Sequence, residues 1–266
     1  MSHDHQDERP DTGEATPEGS MGEVLVDRAG PVATVTLNRP DSLNAMTPTM
    51  LEALGDELQE LAGDRETRVA VLTGSGRAFS AGVDLKSLGG RELVDGMVGD
   101  ILDIPGRRAT GLLAGPGLIT IAKVNGFCFT GALELAMACD LMVVAEEAKL
   151  ADTHAKFGIR PTWGMSQRLP GLVGMAAARD LSYTARTITG VEARALGLAA
   201  RAVPLAELDD AVAALVGQIL SNSDGALQAY KDLYRAALDH GLEQGLAYEA
   251  ATSYPIGDTN AVSYTH

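Results

Sequence analysis

The segment Val124–Asp140 holds the residues best suited to chemistry. An apolar, partly β-branched stretch, Leu118–Val124, predicts a buried strand before it, and Gly131–Cys139 is rich in the helix formers Ala, Leu, Met and Glu. The chain therefore enters a helix at Gly131, with Glu134 in its first turn. Unpaired amides at a helix start favour negative charge, and glycine lets a ligand approach the backbone. This junction predicts an oxyanion site with an acid/base residue beside it, the alternative being that Glu134 is a solvated or ion-paired carboxylate.

A second junction of the same kind lies at Gly74–Lys86. The buried strand predicted at Val69–Thr73 leads into a glycine-rich loop and then into a helix start. Two such junctions can each supply one backbone N–H group to a shared point. The loop is not a nucleotide cradle of the common types, because Gly74 and Gly76 lack the third glycine of the dinucleotide fingerprint and no Gly-Lys-Ser/Thr occurs.

The elements that must position these junctions alternate between strands and helices. Glu23–Asp27 and Val32–Leu37 predict two strands joined by a turn, and Leu141–Ala145 predicts a further buried strand. Thr47 caps a predicted helix that has Pro48 at its first position. Strand–strand–helix units with parallel crossovers predict an α/β fold.

Composition excludes several classes of partner. The 266 residues suffice for one sizeable domain, with or without an appended subdomain. The formal net charge of -15 argues against nucleic acid and anionic membrane, because both require basic patches. Cys128 and Cys139 lack metal-ligand spacing and are expected to be buried, reduced thiols.

Targeting signals and metal sites are not predicted. No apolar run reaches transmembrane length and no signal peptide is recognised, so a cytoplasmic location is expected. Residues 1–20 are polar, acidic and without periodicity, which predicts a disordered tail. His3 and His5 lie in this tail and form no fixed metal site, so no bound metal is expected.

Several separate motifs occur in a fixed order along the chain. They are Leu37-Asn38-Arg39-Pro40, Leu43-Asn44-Ala45, Phe79 through Lys86, Asn125-Gly126 through Asp140, Gly164 with Gln167-Arg168-Leu169, and Gly190-Val191-Glu192-Ala193 through Gly197-Leu198. Together they resemble the crotonase (enoyl-CoA hydratase/isomerase) superfamily, from Glu23 to Pro255. Any one motif alone would be weak.

The resemblance implies an architecture and a substrate class. Residues 21–204 would form a crotonase-like spiral of ββα units, and residues 205–266 a helical C-terminal region that builds a homotrimer or a dimer of trimers. Predicted amphipathic helices at Leu205–Leu220 and Gly225–His240 fit that region. Residues 258–266 depart from the family's charged last helix, which implies a shortened end. The substrates would be acyl-CoA thioesters, with coenzyme A as part of the substrate and no separate cofactor.

The resemblance also implies the residues of the reaction. The backbone amides of Val83 and Gly131 would form an oxyanion hole for the thioester oxygen, the alternative being close packing at tight turns. Glu134 matches the first of two family glutamates, and His154 stands where the second is expected. Histidine can also exchange protons near neutral pH, although His154 could instead only pack or contact substrate. Asp152 is the nearest other carboxylate, with capping or orientation of the following segment as its alternative role.

Substrate contacts are implied around both junctions. The residues are Ala45, Ala81, Val83, Asp84, Leu85, Lys86, Phe127 and Gly131, with Asp84 and Lys86 along the path of the CoA.

The segment Ser87–Gly115 would shape the acyl pocket. Its predicted apolar wall consists of Met97, Val98, Ile101, Leu102, Leu112 and Leu113, with plain core packing as the alternative. Gly96, Gly99 and Gly106 predict mobility. Trp163 stands at a position that is usually small in the family and is expected to narrow the site.

Three functions are compatible with these residues. The first is hydration of a 2-enoyl-CoA to a 3-hydroxyacyl-CoA, or the reverse dehydration. The second is a shift of the double bond in an enoyl-CoA, with a single residue shuttling the proton. The third is acyl-CoA binding without efficient turnover, because His154 replaces the second glutamate. Retention of Glu134 beside a second protonatable group favours the first.

Overall fold

A computed structural model describes residues 22–89 and 94–257. The strands are β1 (Val24–Ala29), β2 (Val32–Leu37), β3 (Val69–Gly74), β4 (Ala78–Ser80), β5 (Ile119–Val124), β6 (Phe127–Phe129), β7 (Leu141–Ala145), β8 (Lys149–Ala151), β9 (Ile188–Thr189) and β10 (Arg201–Val203). The helices are α1 (Pro48–Gly63), α2 (Asp100–Ala114), α3 (Gly131–Ala138), α4 (Met165–Val173), α5 (Met175–Thr184), α6 (Gly190–Ala195), α7 (Leu208–Leu220), α8 (Asp224–Asp239) and α9 (Leu242–Ala251). Short 3-10 helices cover Pro40–Ser42, Leu85–Leu88, Ala155–Phe157 and Leu205–Glu207.

The strands form two sheets that the chain visits in turn. The larger sheet has the order β1-β2-β3-β5-β7-β10, and the smaller has the order β4-β6-β8-β9. The successive pairs β3/β4, β5/β6 and β7/β8 each give one strand to each sheet, and these strands run parallel to the next ones. The predicted α/β class and the repeated strand–strand–helix units are therefore confirmed.

The central strands are apolar because both of their faces are covered. Every residue of β3 is buried, and β5 and β7 are nearly so, as expected for parallel strands between helices. Helix α1 begins as predicted, with the Thr47 hydroxyl accepting a hydrogen bond from the amide of Met50 at 3.0 Å. The two thiols, Cys128 and Cys139, are free and buried in the core.

Asn44 holds the junction at Gly74–Lys86. Its side chain is fully buried, accepts a hydrogen bond from the Arg39 amide at 2.8 Å, and donates to the carbonyls of Ser75 (2.9 Å) and Ala78 (2.8 Å). Because these partners lie on the loops that follow β2 and β3, one buried amide holds both loops in register. The chain after β4 is thereby placed beside the next strand of the smaller sheet.

The C-terminal helices are attached by buried polar contacts as well as by core packing. Helix α7 shares the main core, and the buried Lys231 ammonium of α8 donates to Asp140 Oδ2 and to the carbonyl of Leu118, both at 2.8 Å. Asp232 accepts hydrogen bonds from the hydroxyls of Tyr248 (2.8 Å) and Tyr254 (2.7 Å), which joins α8 to α9 and to the chain beyond it. A 3-10 turn at Leu205–Glu207 precedes α7, whereas the sequence predicts one continuous helix there.

Some expectations concern residues outside the described part. The predicted disordered tail at 1–20 and the predicted shortened end at 258–266 both lie outside it. The division into domains at residue 204 stays a prediction. Among the described helices, none is both long and apolar enough to cross a membrane.

Candidate active site

Two unpaired backbone amides meet at the ends of β4 and β6. Around Val83, the Met46 amide donates to the Gly82 carbonyl and the Asp84 amide donates to the Met46 carbonyl, both at 2.8 Å. In this parallel bridge the Val83 amide lies on the opposite side from Met46. The Gly131 amide is at the first position of α3, where no helical acceptor exists. Neither amide has an acceptor within the described residues, and both residues line the same cavity.

The peptide that carries the Gly131 amide is held in an uncommon conformation. Thr130 has φ 55 and ψ -112, a region that costs a non-glycine residue on the order of 1–3 kcal/mol. The Thr130 amide donates to the Ala151 carbonyl at 2.9 Å, and its hydroxyl shares a short hydrogen bond with the Thr153 hydroxyl. These contacts hold the 130–131 peptide at the start of α3, beside the cavity that Thr130 and Gly131 both line.

Glu134 is fixed through one carboxylate oxygen. Its side chain is 2 % exposed, and Oε1 accepts hydrogen bonds from the amides of Trp163 (3.0 Å) and Met165 (2.9 Å). The second oxygen, Oε2, lies 3.5 Å from Nε2 of His154. The alternative of a solvated surface carboxylate is thereby excluded for Glu134. One oxygen is held by the backbone, and the other is available for proton transfer.

His154 lies between two carboxylates. Its Nδ1 is 2.6 Å from Oδ1 of Asp152, and its Nε2 faces Glu134. The other Asp152 oxygen accepts a hydrogen bond from the Ser182 hydroxyl at 2.7 Å. Ser182, Asp152, His154 and Glu134 thus form a continuous polar chain, which we call the acid/base chain. Asp152 orients the histidine from the side away from Glu134, so its orienting role is the one that the structure supports.

The electrostatics favour a charged imidazole. Burial lowers the pKa of His154, but the hydrogen bonds and charges of Asp152 and Glu134 outweigh burial and raise this pKa to about 9. Burial also raises the pKa of Asp152, yet its hydrogen bonds to His154 and Ser182 bring that pKa below its ordinary value. At neutral pH the centre is therefore an imidazolium held by carboxylates.

A small cavity lies between these groups. Its volume is about 20 Å³, and we call it the reaction cavity. It is lined by Val83, Val98, Thr130, Gly131, Glu134, His154, Ile159, Arg160, Thr162 and Trp163. The four residues predicted for the oxyanion hole and for acid/base catalysis are thus brought together around one point.

Comparison with known proteins places this arrangement in a family. Residues 27–263 match the model of the enoyl-CoA hydratase/isomerase family. The chain belongs to that family. A probable enoyl-CoA hydratase of Mycobacterium bovis is 35% identical over 226 residues, covering 85% of this chain and 86% of the relative. A carnitinyl-CoA dehydratase of Salmonella paratyphi A is 37% identical over 235 residues, covering 86% of each.

A solved structure shows the same fold with a bound thioester. It is a putative enoyl-CoA hydratase of Thermobifida fusca in complex with acetoacetyl-CoA. The TM-score is 0.78 and the sequence identity is 33%, with 86% of this chain and 92% of that chain covered. Membership of the crotonase superfamily, predicted from the motifs, is confirmed.

The other family substrate positions do not line the reaction cavity. Asp84 pairs with Arg39 at 3.2 Å and caps the turn at Leu85–Leu88 by accepting from the Lys86 amide at 3.1 Å. The Ala45 carbonyl accepts from the same Arg39 guanidinium. Leu85 and Lys86 are exposed next to this turn, beside Val83. Their roles as substrate contacts stay predictions.

Ala81 and Phe127 also lie outside the reaction cavity. The Ala81 amide donates to the Leu43 carbonyl at 2.9 Å, which places Ala81 on the loop contact just before Val83. The ring of Phe127 lies 5.6 Å from that of Phe129, centre to centre, and under the guanidinium of Arg77. Substrate contact by either residue likewise stays a prediction.

Much of the predicted apolar wall belongs to the core. Of the six residues named for it, only Val98 lines the reaction cavity, whereas Leu102 and Leu113 are buried between α2 and the rest of the core. The mobility predicted from Gly96, Gly99 and Gly106 stays a prediction, but Gly106 has a packing role. This glycine is buried inside α2, and a β-carbon built there would lie 2.1 Å from the indole of Trp163. Gly106 thus provides close packing.

Two further residues near the site, Asp103 and Ser182, were not predicted from the sequence. Asp103 is buried on α2 and accepts hydrogen bonds from the Thr162 hydroxyl (2.5 Å) and the Trp163 indole nitrogen (3.1 Å). Ser182 reaches Asp152 from α5. Both contacts join residues that are 30 or more positions apart, so only the packing of helices reveals them. Within the described residues, no cluster of side chains suited to a metal ion is found.

A larger open cavity lies on the other side of His154. Its volume is about 450 Å³, and its walls include Asp152, Ser182, Leu169, Met175 and Ala178, but neither Val83 nor Gly131. His154, Ile159 and Arg160 line both cavities. The two cavities therefore adjoin at these three residues.

Proposed function

We propose that the protein hydrates a 2-enoyl-CoA to a 3-hydroxyacyl-CoA and catalyses the reverse dehydration. The observation that carries this proposal is the meeting of two unpaired amides, Glu134 and His154 around one cavity. The thioester oxygen would accept hydrogen bonds from the amides of Val83 and Gly131. Each such donor typically lowers the barrier by about 3–4 kcal/mol as enolate charge develops.

Glu134 is suited to be the base. Its Oε1 is held by two amides, so Oε2 keeps a fixed direction towards the reacting atoms. As the oxygen of water bonds to the β-carbon, Oε2 takes one proton from that water. The electron pair of the carbon–carbon double bond moves to form the enolate, which the two amides stabilise.

His154 is suited to be the acid. Its Nε2 proton passes to the α-carbon as the enolate returns to the thioester, leaving a neutral imidazole whose Nδ1–H still donates to Asp152. Glu134, now protonated, lies 3.5 Å from Nε2 and can return the proton to it. One water is consumed, both of its hydrogens are accounted for, and the pair is restored.

The comparisons support the substrate class. The Thermobifida fusca neighbour was crystallised with acetoacetyl-CoA, and the two curated relatives are named for adding or removing water on CoA thioesters. We infer that this chain takes an acyl-CoA thioester and needs no further cofactor. We also propose that the protein assembles as a homotrimer or a dimer of trimers, as the family resemblance implies.

An assay of two substrates and one variant tests the reaction. Purified protein is given crotonyl-CoA and, separately, a 3-enoyl-CoA, and both the enoyl absorbance and the products are followed. We expect hydration of crotonyl-CoA, and a loss of about 10²–10⁴-fold in kcat for Glu134→Gln, which keeps the two amide contacts but cannot accept a proton.

The other outcomes separate the alternatives. Formation of 2-enoyl-CoA from the 3-enoyl-CoA without hydration of crotonyl-CoA would make the protein an isomerase. Binding of both thioesters without turnover of either would make it an acyl-CoA-binding protein. Turnover that survives Glu134→Gln would contradict the role of the carboxylate.

A further inference from the structure

Trp163 forms one wall of the reaction cavity and is itself 3 % exposed. Its backbone amide donates a hydrogen bond to Glu134, and its indole lies next to Gly131. The reaction cavity is narrow, with a volume of about 20 Å³, so this wall lies close to any group that enters it. Whatever follows the β-carbon of a substrate must therefore meet this wall or displace it.

The indole is fixed by a buried carboxylate. Asp103 Oδ1 accepts the Trp163 N–H at 3.1 Å and the Thr162 hydroxyl at 2.5 Å, and Asp103 is 2 % exposed. A buried carboxylate that loses its donors is costly, so rotating the indole away is unfavourable. The reaction proposed above has no use for Asp103, and holding Trp163 accounts for its burial.

Two glycines show how closely the ring is packed. A β-carbon at Gly106 would lie 2.1 Å from the indole, and one at Gly131 would lie 2.9 Å from it. The ring therefore packs directly on the backbones of α2 and α3, which gives it no space on either side. A side chain enclosed in this way forms a rigid wall rather than a flexible one.

We propose that Trp163, held by Asp103 and packed on Gly106 and Gly131, limits the acyl group to short 2-enoyl thioesters of about four carbons. The inference rests on the proposed function, because it assumes that the thioester oxygen lies at the Val83 and Gly131 amides. The β-carbon then lies beside Glu134 and His154, and the next carbon reaches the indole. Trp163 is a specificity-determining residue in this reaction.

One other route for a long chain exists. A tail could pass Ile159 and Arg160 into the larger cavity of about 450 Å³. That route requires displacing Ile159, which is 9 % exposed, or His154, which is bonded to Asp152. The observed packing favours a closed wall.

Chain-length profiles test the inference. For 2-enoyl-CoA substrates of four, six, eight and ten carbons, we expect kcat/KM of the wild type to fall at least about 100-fold between four and eight carbons. Trp163→Leu opens the wall, and its eight-carbon value is expected to rise about tenfold or more, while the four-carbon value stays equal or falls. The double variant Trp163→Leu/Asp103→Leu removes the carboxylate left without its indole donor and serves if the single variant does not fold.

Met175→Trp is the matched control. Met175 lines only the larger cavity and is 54% exposed, so a larger ring there narrows that cavity without touching the reaction cavity. We expect the chain-length profile to stay unchanged. A wild type that accepts eight carbons well and loses them in Met175→Trp would overturn the inference in favour of the larger cavity.

A binding measurement separates this inference from the reaction itself. Calorimetry with butanoyl-CoA and octanoyl-CoA needs no turnover, and we expect octanoyl-CoA to bind the wild type about tenfold or more weakly, with the gap closing in Trp163→Leu. Weaker binding of octanoyl-CoA that is relieved in Trp163→Leu, with no turnover of any substrate, would reject the proposed reaction but support Trp163 as the limit on chain length. Equal binding of both thioesters by the wild type would reject the limit, whatever the activity.

Discussion

The reaction cavity and the C-terminal helices differ in how their side chains are partnered. Around the cavity, each buried ionisable group has a polar partner, from Asp103 with its indole to His154 between two carboxylates. On α8 and α9, large apolar side chains are exposed instead. They are Tyr230, Tyr234, Leu238, Leu242 and Leu246, spaced four residues apart, with Leu238 83% and Leu242 82% exposed.

The difference shows where the described residues match one another. The polar side chains around the reaction cavity are matched to one another, as Glu134 to His154 and Asp103 to Trp163. The apolar residues on α8 are four positions apart on one helix, and those on α9 follow after the break at His240 and Gly241. Within the described residues, all five are exposed. We therefore expect the chemistry to depend on single side chains at the cavity, and assembly to depend on the exposed face.

The largest effect should come from His154. For His154→Gln we expect kcat to fall by about 10²–10⁴-fold, because glutamine can donate a hydrogen bond but cannot deliver a proton. In the wild type the imidazolium persists at neutral pH, so hydration should hold up to about pH 9 and then decline as His154 loses its proton. Steady-state rates between pH 6 and 10 check both statements, and an unchanged rate in the variant would leave Glu134 working alone.

The same histidine links stability to pH. Its pKa of about 9 in the folded state lies above the ordinary value of 6.5, so its stabilising contribution is complete below pH 6.5 and is lost as pH rises through about 9. The free energy of unfolding of the wild type should thus approach that of His154→Gln across this range. Denaturant titrations at a series of pH values measure the difference.

A smaller effect is expected from the outer part of the acid/base chain. In Asp152→Asn, the Asp152 carboxylate no longer offsets the effect of burial on His154, so the pKa of His154 falls. The decline of the hydration rate at high pH should then begin at least about one pH unit lower. Ser182→Ala removes only the 2.7 Å contact to Asp152 and should shift the high-pH decline of the rate by less. Nitrogen NMR of the imidazole, assigned by its loss in His154→Gln, reads this pKa without turnover. A pH profile shared by wild type and Asp152→Asn would show that Asp152 only packs.

The smallest effect on turnover should come from the other region. Leu238→Glu with Leu242→Glu places two charges on the exposed apolar face and should dissociate the proposed oligomer. Turnover per chain is expected to stay within about threefold, because neither Leu238 nor Leu242 lines the reaction cavity. Sedimentation velocity gives the assembly state, and Asp239→Ala between them is the matched control. A wild type that sediments as a monomer would contradict the assembly.

Local patterns predicted the parts of the site that are made of backbone. Local composition predicted a helix over Gly131–Cys139. The observed α3 ends one residue earlier, at Ala138. The Gly-rich loop before Val83 was predicted as one stretch leading into a helix, whereas it contains strand β4 (Ala78–Ser80) and leads into the 3-10 turn at Leu85–Leu88. Contacts between side chains of distant segments were not predictable in this way, because hydrogen bonds such as that between Asp103 and Trp163 span 60 residues. Gly106 shows the same limit of local patterns. Local rules predict flexibility at a glycine, whereas the tertiary structure packs this one against the indole of Trp163.

The sequence by itself determined the alternation of strands and helices, the two junctions that expose an amide, and the carboxylate of Glu134 beside one of them. Those features depend on periodicity, helix capping and glycine, which act within a few residues. Only the tertiary structure decided that His154 lies between two carboxylates and that Trp163 closes the cavity. Both depend on how α2, α4 and α5 pack around α3, and that packing brings together residues that no local pattern connects.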